Sequence, residues 1–300
     1  MDQLKILVTG KNGQVGYELQ RSLSSLGEVV AVDVEDCDLT DTAAVVSLVE
    51  KVKPALIVNP AAYTAVDKAE TDTEVAFAIN ATAPKVLAAQ ANLLHIPIIH
   101  YSTDYVFDGE KDGWYTEDEP GNPQSIYGKT KWQGEKNVRA MCAQHVILRT
   151  SWVFGVHGGN FLKTILRLAK EKESLNIIAD QFGAPTSARL LADSTAVIAQ
   201  ELLHGETGKF GTYHLVGAGE TTWHGYARKV IETANALGVL TKVGPDAISP
   251  IPTEAYPLPA LRPKNSRLST TKIRNAFNLD IPHWEQDVEA VLKQVIHSTN

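Results

Sequence analysis

The stretch Leu4-Lys-Ile-Leu-Val-Thr-Gly-Lys-Asn-Gly-Gln-Val-Gly16 decides the fold of this 300-residue chain. Residues 4–8 are apolar enough for a buried strand, and residues 14–26 have the pattern of a helix. Between the strand and the helix stand three glycines with the spacing Gly-x-x-Gly-x-x-Gly, namely Gly10, Gly13 and Gly16. Glycines permit a tight turn and let the backbone approach an anion at a helix N-terminus. The unit therefore predicts a dinucleotide-binding turn, although the standard fingerprint is Gly-x-Gly-x-x-Gly.

The rest of the first half continues the alternation of strands and helices. Strands are predicted at residues 29–33, 55–59, 96–101 and 145–149, and helices at residues 41–52, 73–94 and 125–142. Short apolar strands separated by helices indicate a parallel sheet that is covered on both faces. Because the crossovers are right-handed, the sequence predicts an α/β fold with a doubly wound parallel sheet of the Rossmann type.

The second half is less regular. Helices are predicted at residues 160–172, 188–203, 223–237 and 287–297, and a strand at residues 213–216. Five prolines within residues 250–263 predict an extended surface loop there. We therefore expect a dinucleotide-binding domain in residues 1–155 and a smaller, interwoven substrate-binding domain in residues 156–300. Residues 185–216, approximately, are expected to return to the first domain.

Composition excludes several classes of partner. The net charge is −7 and the pI is near 5.7, with no basic cluster, so no nucleic acid polymer is expected to bind. No run approaches the roughly 18 apolar residues of a membrane span, and residues 1–5 lack the basic start of a leader segment. The two cysteines, Cys37 and Cys142, have no metal-ligand spacing. These features predict a cytoplasmic protein with reduced thiols and no metal site.

Asp33 lies at the end of the second predicted strand, where a carboxylate accepts hydrogen bonds from an adenosine ribose. It favours NADH, because a carboxylate repels a 2′-phosphate, whereas Lys11 could offset that repulsion. Asp38 and Leu39 are candidates for contact with adenine, and small residues after the third strand suit a wall against a cofactor. The candidate cofactor-binding residues are Gly10, Lys11, Asn12, Gly13, Gln14, Val15, Gly16, Asp33, Asp38, Leu39, Ala61, Ala62, Tyr63, Thr64, Tyr127 and Lys131.

Thr103, Tyr127 and Lys131 form the candidate catalytic set. Tyr127 and Lys131 are four positions apart and share one helix face. A nearby ammonium favours the ionised phenol, so we expect Lys131, a bound cofactor and the Thr103 hydroxyl to lower the pKa of Tyr127 from about 10. A phenol tuned toward neutral pH is a suitable proton donor for carbonyl reduction.

The motifs carry a resemblance that covers residues 4 to about 295. The strings are Gly10-Lys-Asn-Gly-Gln-Val-Gly16, Ala65-Val-Asp-Lys-Ala-Glu70, Tyr101-Ser-Thr-Asp-Tyr-Val-Phe107, Ser125-Ile-Tyr-Gly-Lys-Thr-Lys131, Arg149-Thr-Ser-Trp-Val-Phe154, Asp180-Gln-Phe-Gly-Ala-Pro-Thr186 and Arg262-Pro-Lys-Asn-Ser-Arg-Leu268. Together they resemble the dTDP-4-dehydrorhamnose reductase family of the extended short-chain dehydrogenase/reductase superfamily. The chain departs from that pattern at Pro60, where Ala is common, and at Leu261, where a second Arg is common.

The resemblance implies an activity and a set of roles. NADPH or NADH would reduce the C4 carbonyl of dTDP-4-dehydro-β-L-rhamnose to dTDP-L-rhamnose, a step in making nucleotide-linked deoxysugars for cell-surface polysaccharide. Tyr127 would protonate the C4 oxygen, Lys131 would hold the nicotinamide ribose, and Thr103 would orient the carbonyl. The implied substrate-binding residues are Thr103, Asp104, Trp152, Asn160, Gln181, Arg262 and Asn265.

The resemblance also raises assembly and metal binding. Some members of the family form a homodimer around Mg²⁺ with acidic side chains. Arg189 and Gln294 stand in the neighbourhoods where those acids would be expected. We therefore expect a homodimer as one possibility and assign no residue to a metal.

Three other functions remain open at this point. A sugar-nucleotide epimerase would keep its cofactor tightly bound, and a 4,6-dehydratase would follow its Thr-Asp with a Glu base. Tyr105 occupies that position here, so the dehydratase base is missing. A reductase-like regulatory subunit without activity is the third possibility, and the intact trio Thr103, Tyr127 and Lys131 argues against it.

Overall fold

A computed structural model describes residues 4–205 and 208–298. Its central sheet has six parallel strands in the order β2-β1-β3-β4-β5-β10. The strands are β1 (Lys5–Thr9), β2 (Glu28–Val32), β3 (Leu56–Asn59), β4 (Ile98–Thr103), β5 (His145–Thr150) and β10 (Gly211–His214). The predicted doubly wound α/β fold is confirmed. The structure does not describe residues 1–3, 206–207 and 299–300. The prediction of no leader, made on residues 1–5, and the outer limits of the two predicted domains therefore lie partly outside the described residues.

Helices cover both faces of the sheet because alternate strand residues point to opposite sides. Ile6 and Val8 join a core with α1 (Gln14–Ser22) and α8 (Ala188–Leu203), whereas Leu7 joins the core on the other face. The core on that face contains side chains of α2 (Thr42–Val52), α5 (Ala83–Leu93) and α6 (Ile126–Met141). The near-continuous apolar character of the strands follows from this two-sided burial.

The strand order creates a crevice between β1 and β3. From β1 the chain crosses to β2 on one side, and β3 then returns to the other side of β1. Loops that follow the carboxyl ends of β1 and β3 leave in opposite directions at such a switch point, which is where ligands bind in doubly wound sheets. The glycine-rich turn and the segment from Pro60 to Thr64 therefore face each other.

A second, smaller core lies outside the sheet. It packs α7 (Phe161–Glu171), α9 (Trp223–Ala236) and α11 (Trp284–His297) around buried apolar side chains such as Tyr226 and Trp284. β7 (Leu175–Ile178) pairs there with β12 (Ile248–Ile251). Three shorter helices are α3 (Val66–Ala69), α4 (Thr73–Phe77) and α10 (Thr271–Phe277). The two-residue strands are β6 (Val153–Phe154), β8 (Phe182–Gly183), β9 (Thr186–Ser187) and β11 (Thr221–Thr222).

The structure corrects several predicted boundaries. The first helix ends at Ser22 rather than residue 26, and the last one begins at Trp284 rather than residue 287. The predicted helix at residues 73–94 is interrupted by a π-helical turn, Ala78–Thr82. Pro84 has no N–H to give to the carbonyl four residues earlier, which favours the wider turn. The proline-rich stretch at residues 250–263, predicted as a loop, begins instead with the edge strand β12.

Candidate active site

At two positions of the glycine-rich turn, Gly10 and Gly16, the packing leaves no room for a side chain. Gly10 has φ +65°, and a Cβ there would lie 3.0 Å from the Ala61 Cα. A Cβ on Gly16 would lie only 1.9 Å from the Gly10 carbonyl oxygen. Gly13 precedes α1 without a side-chain cap, so main-chain N–H groups of the first helical turn stay available to a ligand. The turn suits a diphosphate, as the sequence predicts.

A cavity of about 570 Å³ extends from this turn along the switch point. Most of the candidate cofactor residues line it, namely Gly10, Asn12, Gly13, Gln14, Val15, Gly16, Asp33, Asp38, Leu39, Ala61, Ala62, Thr64, Tyr127 and Lys131. Lys11 and Tyr63 are not among the described residues of the lining. The volume, the bare helix N-terminus and the carboxylate at the end of β2 all fit a nicotinamide dinucleotide.

The two exceptions have other partners. The Lys11 ammonium binds Asp36 and Glu35, whose oxygens lie 2.6 and 3.2 Å away. The main-chain N–H of Tyr63 donates to the Asn80 side-chain oxygen over 2.8 Å, and the Asn80 amide donates back to the Tyr63 carbonyl. Asn80 thus shapes the wall beside Ala62 and Thr64 from the π-helical turn. In the sequence, Asn80 is a polar residue within an otherwise apolar stretch, which by itself does not indicate this role.

Sequence reasoning also missed part of the cavity. The wall is completed by Thr9, Val32, Val34, Cys37, Pro60, Ile79, Tyr101, Ser102, Thr150, Val153, Gly158 and Gly159. Most of these residues lie at or just after the carboxyl end of a sheet strand. Their position relative to the predicted strands could therefore have identified them as cavity residues. Gly158 and Gly159 belong to a loop before α7 and carry no such signal. Their loop reaches the turn because the His157 ring bonds the Asn12 carbonyl oxygen over 2.9 Å.

Asp33 has its carboxylate fixed at the cavity rim. One oxygen accepts the Asn12 main-chain N–H over 2.9 Å, and the other accepts the Val34 N–H over 2.8 Å. These bonds tie the end of β2 to the glycine-rich turn. Each carboxylate oxygen keeps a further lone pair, so Asp33 can still accept from a ribose hydroxyl.

The catalytic candidates meet where β4 ends and α6 begins. Thr103 is the last residue of β4, and its hydroxyl donates to Asp104 over 2.9 Å. Ser125 caps α6 by accepting the Gly128 N–H, which fixes the first turn that carries Tyr127. Burial raises the pKa of Tyr127 to about 12, with the Thr103 hydroxyl opposing the rise and the Asp104 charge adding to it. This direction is opposite to the predicted one, so the protein's own groups keep the phenol protonated.

Lys131 has a main-chain partner of its own. Its ammonium donates to the main-chain oxygen of Tyr101 over 2.7 Å and is buried. Burial lowers the pKa of Lys131 to about 8, and the Glu135 carboxylate partly offsets this. Lys131 nevertheless lines the same cavity as Tyr127, as the shared helix face predicts.

Glu135 anchors the floor of the site through a buried network. Its carboxylate accepts the Ser102 hydroxyl over 2.6 Å, two Arg149 nitrogens over 2.8 Å and an Arg139 nitrogen over 2.9 Å. Although burial opposes ionisation, the Arg149 guanidinium holds the pKa of Glu135 below its usual value. The network joins β4, β5 and α6 and thus fixes the distance between Thr103 and Lys131.

A second cavity of about 550 Å³ lies beyond Tyr127. Tyr105 lines it and meets the Tyr127 ring edge-on, with centroids 5.4 Å apart. Arg262 and Asn265 are the predicted substrate residues in its lining. The other charged residues of the lining have both signs: Lys111, Lys264, Arg267, Asp108, Glu110, Asp112 and Asp180. Arg262 is paired with Asp67 over 2.7 Å, and Asn265 donates to the carbonyls of Lys111 and Gly113.

The other predicted substrate residues occupy structural positions near these cavities. Trp152 has φ +49° and stacks on Trp223 at a centroid distance of 3.8 Å. Asn160 caps α7 and donates to the Gln14 side chain. Gln181 is buried between Thr253 and Trp223 and hydrogen-bonds both. None of the three is among the described residues that line either cavity.

Asp104 is buried directly after β4 and precedes Tyr105 of the second cavity, but it is not among the described residues that line either cavity. One carboxylate oxygen accepts the Thr103 hydroxyl, and the other makes no hydrogen bond of good geometry to a described residue. Burial raises the pKa of Asp104 to about 6, while Ser266 and Thr103 hydroxyls favour the ionised form. A buried carboxylate oxygen with spare capacity suits a sugar hydroxyl.

The described residues contain neither a metal-binding cluster nor a membrane-spanning helix. Within residues 4–205 and 208–298, no group of three or more His, Cys, Asp and Glu side chains is placed to hold a metal ion. In the same ranges no helix has both the length and the apolar character needed to cross a membrane.

The fold and the site define the class of protein. A dinucleotide-sized cavity at the switch point of a doubly wound sheet, faced by a Tyr-x-x-x-Lys helix, is the arrangement of short-chain dehydrogenase/reductase enzymes, which are NAD(P)H-dependent oxidoreductases. Within this class, the model of the RmlD substrate binding domain family matches residues 4–297, and the chain belongs to that family.

Known proteins agree with this assignment. The chain is 46% identical over 300 residues to the dTDP-4-dehydrorhamnose reductase of Salmonella typhimurium, covering 99% of each chain. A crystal structure of a dTDP-4-dehydrorhamnose reductase from Clostridium acetobutylicum has a TM-score of 0.90 and 37% identity, covering 98% of this chain and all of that one. The dTDP-4-dehydrorhamnose reductase of Bacillus anthracis, solved in complex with NADP, has a TM-score of 0.87 and 34% identity, with the same coverage.

Proposed function

We propose that this chain reduces the C4 carbonyl of dTDP-4-dehydro-β-L-rhamnose to dTDP-L-rhamnose with NADH or NADPH. The observation that carries the proposal is the position of Tyr127. It lines the dinucleotide cavity and touches Tyr105, which lines the second, cation-bearing cavity. The names of the relatives supply the substrate class, and the Arg262 guanidinium in the second cavity suits its diphosphate.

The chain's own residues divide the reaction between them. The reduced nicotinamide of a bound cofactor supplies the hydride for C4. Tyr127 is protonated at neutral pH and gives its phenolic proton to the C4 oxygen. Lys131 lies on the same helix face, and its positive charge stabilises the phenolate that remains. Thr103 orients the C4 oxygen, and the buried Asp104 carboxylate receives a sugar hydroxyl.

The dehydratase alternative fails on the residue after Asp104. Burial raises the pKa of Tyr105, so this phenol cannot act as the base that a dehydratase needs at that place. An epimerase would run without net consumption of reduced cofactor and would keep NAD bound through purification. A regulatory subunit would show no turnover at all.

The test is a spectrophotometric assay. Purified protein is mixed with dTDP-4-dehydro-β-L-rhamnose and either NADH or NADPH, and the loss of reduced-nicotinamide absorbance is followed. The proposal expects one cofactor oxidised per dTDP-L-rhamnose formed. No oxidation above the sugar-free control, or product formation without oxidation, would refute it.

We also propose a cytoplasmic, homodimeric enzyme. The cytoplasm supplies both the reduced nicotinamide and the dTDP-sugar, and the described residues contain no membrane-spanning helix.

The proposal of a homodimer rests on the family resemblance. Light scattering on the purified chain is expected to give twice the 32.6 kDa monomer mass, and a monomer mass would refute the dimer.

A further inference from the structure

The ammonium of Lys11 is held at the rim of the dinucleotide cavity by two carboxylates. Lys11 Nζ lies 2.6 Å from an Asp36 oxygen and 3.2 Å from a Glu35 oxygen. Its main-chain N–H donates to the Val32 carbonyl over 3.1 Å, which fixes the start of the side chain. Lys11 itself is not among the described residues of the cavity lining.

Both carboxylates are held in place by second partners. The Asp36 oxygen that binds Lys11 also accepts the Asp33 main-chain N–H over 2.9 Å. The Glu35 oxygen also accepts the Asn12 side-chain amide over 2.9 Å. Each acid therefore has a second partner that holds its carboxylate beside Lys11, although all three side chains are partly exposed.

The charge balance at this rim is negative. Asp33, Glu35 and Asp36 contribute three carboxylates against the one ammonium of Lys11. The hydrogen bond to Asp36 raises the pKa of Lys11, so the ammonium stays charged at neutral pH. Asp33 and Val34 line the cavity where an adenosine ribose is expected, so a 2′-phosphate there would meet net negative charge.

The geometry points to Glu35 and Asp36 as residues that set cofactor preference. Because both acids bind Lys11, the one cation of the glycine-rich turn is not available to a 2′-phosphate. The negative charges of Glu35 and Asp36 also repel that phosphate. The site therefore selects a dinucleotide with a free ribose 2′-hydroxyl. This inference rests on the dinucleotide site of the proposed function and is independent of the sugar substrate.

The experiment compares two small nucleotides that differ at the ribose 2′-position. Titration calorimetry measures the dissociation constants of adenosine 2′,5′-bisphosphate and of 5′-AMP for the native chain and its variants. The double variant Glu35→Gln/Asp36→Asn should improve the ratio in favour of the bisphosphate by about tenfold, because two charges are removed and Lys11 is released. The ratio of kcat/KM for NADPH and NADH should move in the same direction.

The variant Lys11→Met tests whether the shift in the nucleotide ratio comes from release of the Lys11 ammonium or only from loss of the two negative charges. In the native chain it should change the nucleotide ratio by less than about twofold, and in the double variant it should remove most of the gain. Glu50→Gln, on the exposed face of α2, is the matched control and should leave the ratio unchanged. Asp36→Asn alone should give a smaller shift of the same sign and replaces the double variant if that one does not fold.

Two results would overturn the inference. One is an unchanged nucleotide ratio in a folded Asp36→Asn chain. The other is a large loss of bisphosphate binding on Lys11→Met in the native chain, since Lys11 would then already serve the 2′-phosphate. A chain that shows the predicted ratios without reducing the sugar would refute only the proposed function.

Discussion

The Lys131 ammonium donates a hydrogen bond to the main-chain oxygen of Tyr101 over 2.7 Å. The lysine is thus tied to the carboxyl end of β4, and both residues line the dinucleotide cavity. Burial lowers the pKa of Lys131 to about 8, while burial raises the pKa of Tyr127 to about 12. Of these two groups, the lysine therefore titrates nearer to neutral pH than the proton donor does.

This order of pKa values predicts the high-pH limb of the rate profile. Lys131 is charged below pH 8 and neutral above it, and only the charged form stabilises the Tyr127 phenolate. We expect kcat to fall as pH rises through about 8. The residual activity of Lys131→Arg, whose guanidinium stays charged, should show no fall through pH 8. A fall near pH 8 that persists in Lys131→Arg would assign it to another group.

Removal of the proton donor should be costly for turnover and harmless for folding. Tyr127→Phe is expected to lower kcat by about 10²–10⁴-fold, the usual contribution of general acid catalysis. Circular dichroism should be unchanged. Tyr226→Phe is the matched control, because this phenol is buried in the second core and makes no hydrogen bond to a described residue. Near-native kcat in Tyr127→Phe would eliminate Tyr127 as the donor.

Asp33 should discriminate between the two nicotinamide cofactors. Asp33→Ala removes a negative charge from the cavity rim, so the NADPH to NADH ratio of kcat/KM should rise by about tenfold. It also removes the acceptor of the Asn12 N–H, so affinity for both cofactors should fall. Asp33→Asn keeps an acceptor and should shift the ratio with less loss of affinity. A ratio that stays constant in both variants would remove Asp33 from the ribose site.

Arg262 should anchor the nucleotide half of the substrate. It lines the second cavity beside Asp67, and a guanidinium matches phosphate oxygens bidentately. Arg262→Ala is expected to raise KM for the dTDP-sugar by roughly 10- to 100-fold, since bonds to charged groups contribute about 1.5–3 kcal/mol. KM for the cofactor and kcat should stay near native.

The control for Arg262 is Arg228→Ala, which removes an exposed arginine from α9. It should leave both KM values unchanged. Because Arg262 also binds the Ala260 carbonyl, thermal melting is recorded for each variant. A lower melting temperature with equal losses for sugar and cofactor would mark Arg262 as a structural residue.

Much of the fold could be predicted because local pattern and burial agree. β1 and β3 are buried on both faces, so their apolar runs identified them from sequence alone. The short pairs β6–β9 and β8–β11 were missed because two residues carry no periodicity. The π-helical turn was missed because a proline inside a helical pattern predicts a break or a kink as readily as a wider turn. The bond from Tyr63 to Asn80, seventeen positions away, has no signal in the sequence pattern.

The candidate site likewise has residues that the sequence predicted and features that it did not. Residues set by the ends of strands, such as Asp33 and Thr103, were found because a parallel sheet places those ends together. The pKa of Tyr127 was predicted in the wrong direction, since sequence shows the spacing to Lys131 but not the burial of the phenol or the bond from Lys131 to Tyr101. The partners of Lys11 were not foreseen, because a short turn at residues 33–37 brings Glu35 and Asp36 to it.

The most direct test of the central claim follows the hydrogen itself. Cofactor carrying deuterium at the transferring position of the nicotinamide is incubated with dTDP-4-dehydro-β-L-rhamnose, and the sugar product is examined by NMR. The account predicts one deuterium at C4 of dTDP-L-rhamnose for each cofactor oxidised. Deuterium at another carbon, or a product without deuterium, would contradict reduction at C4.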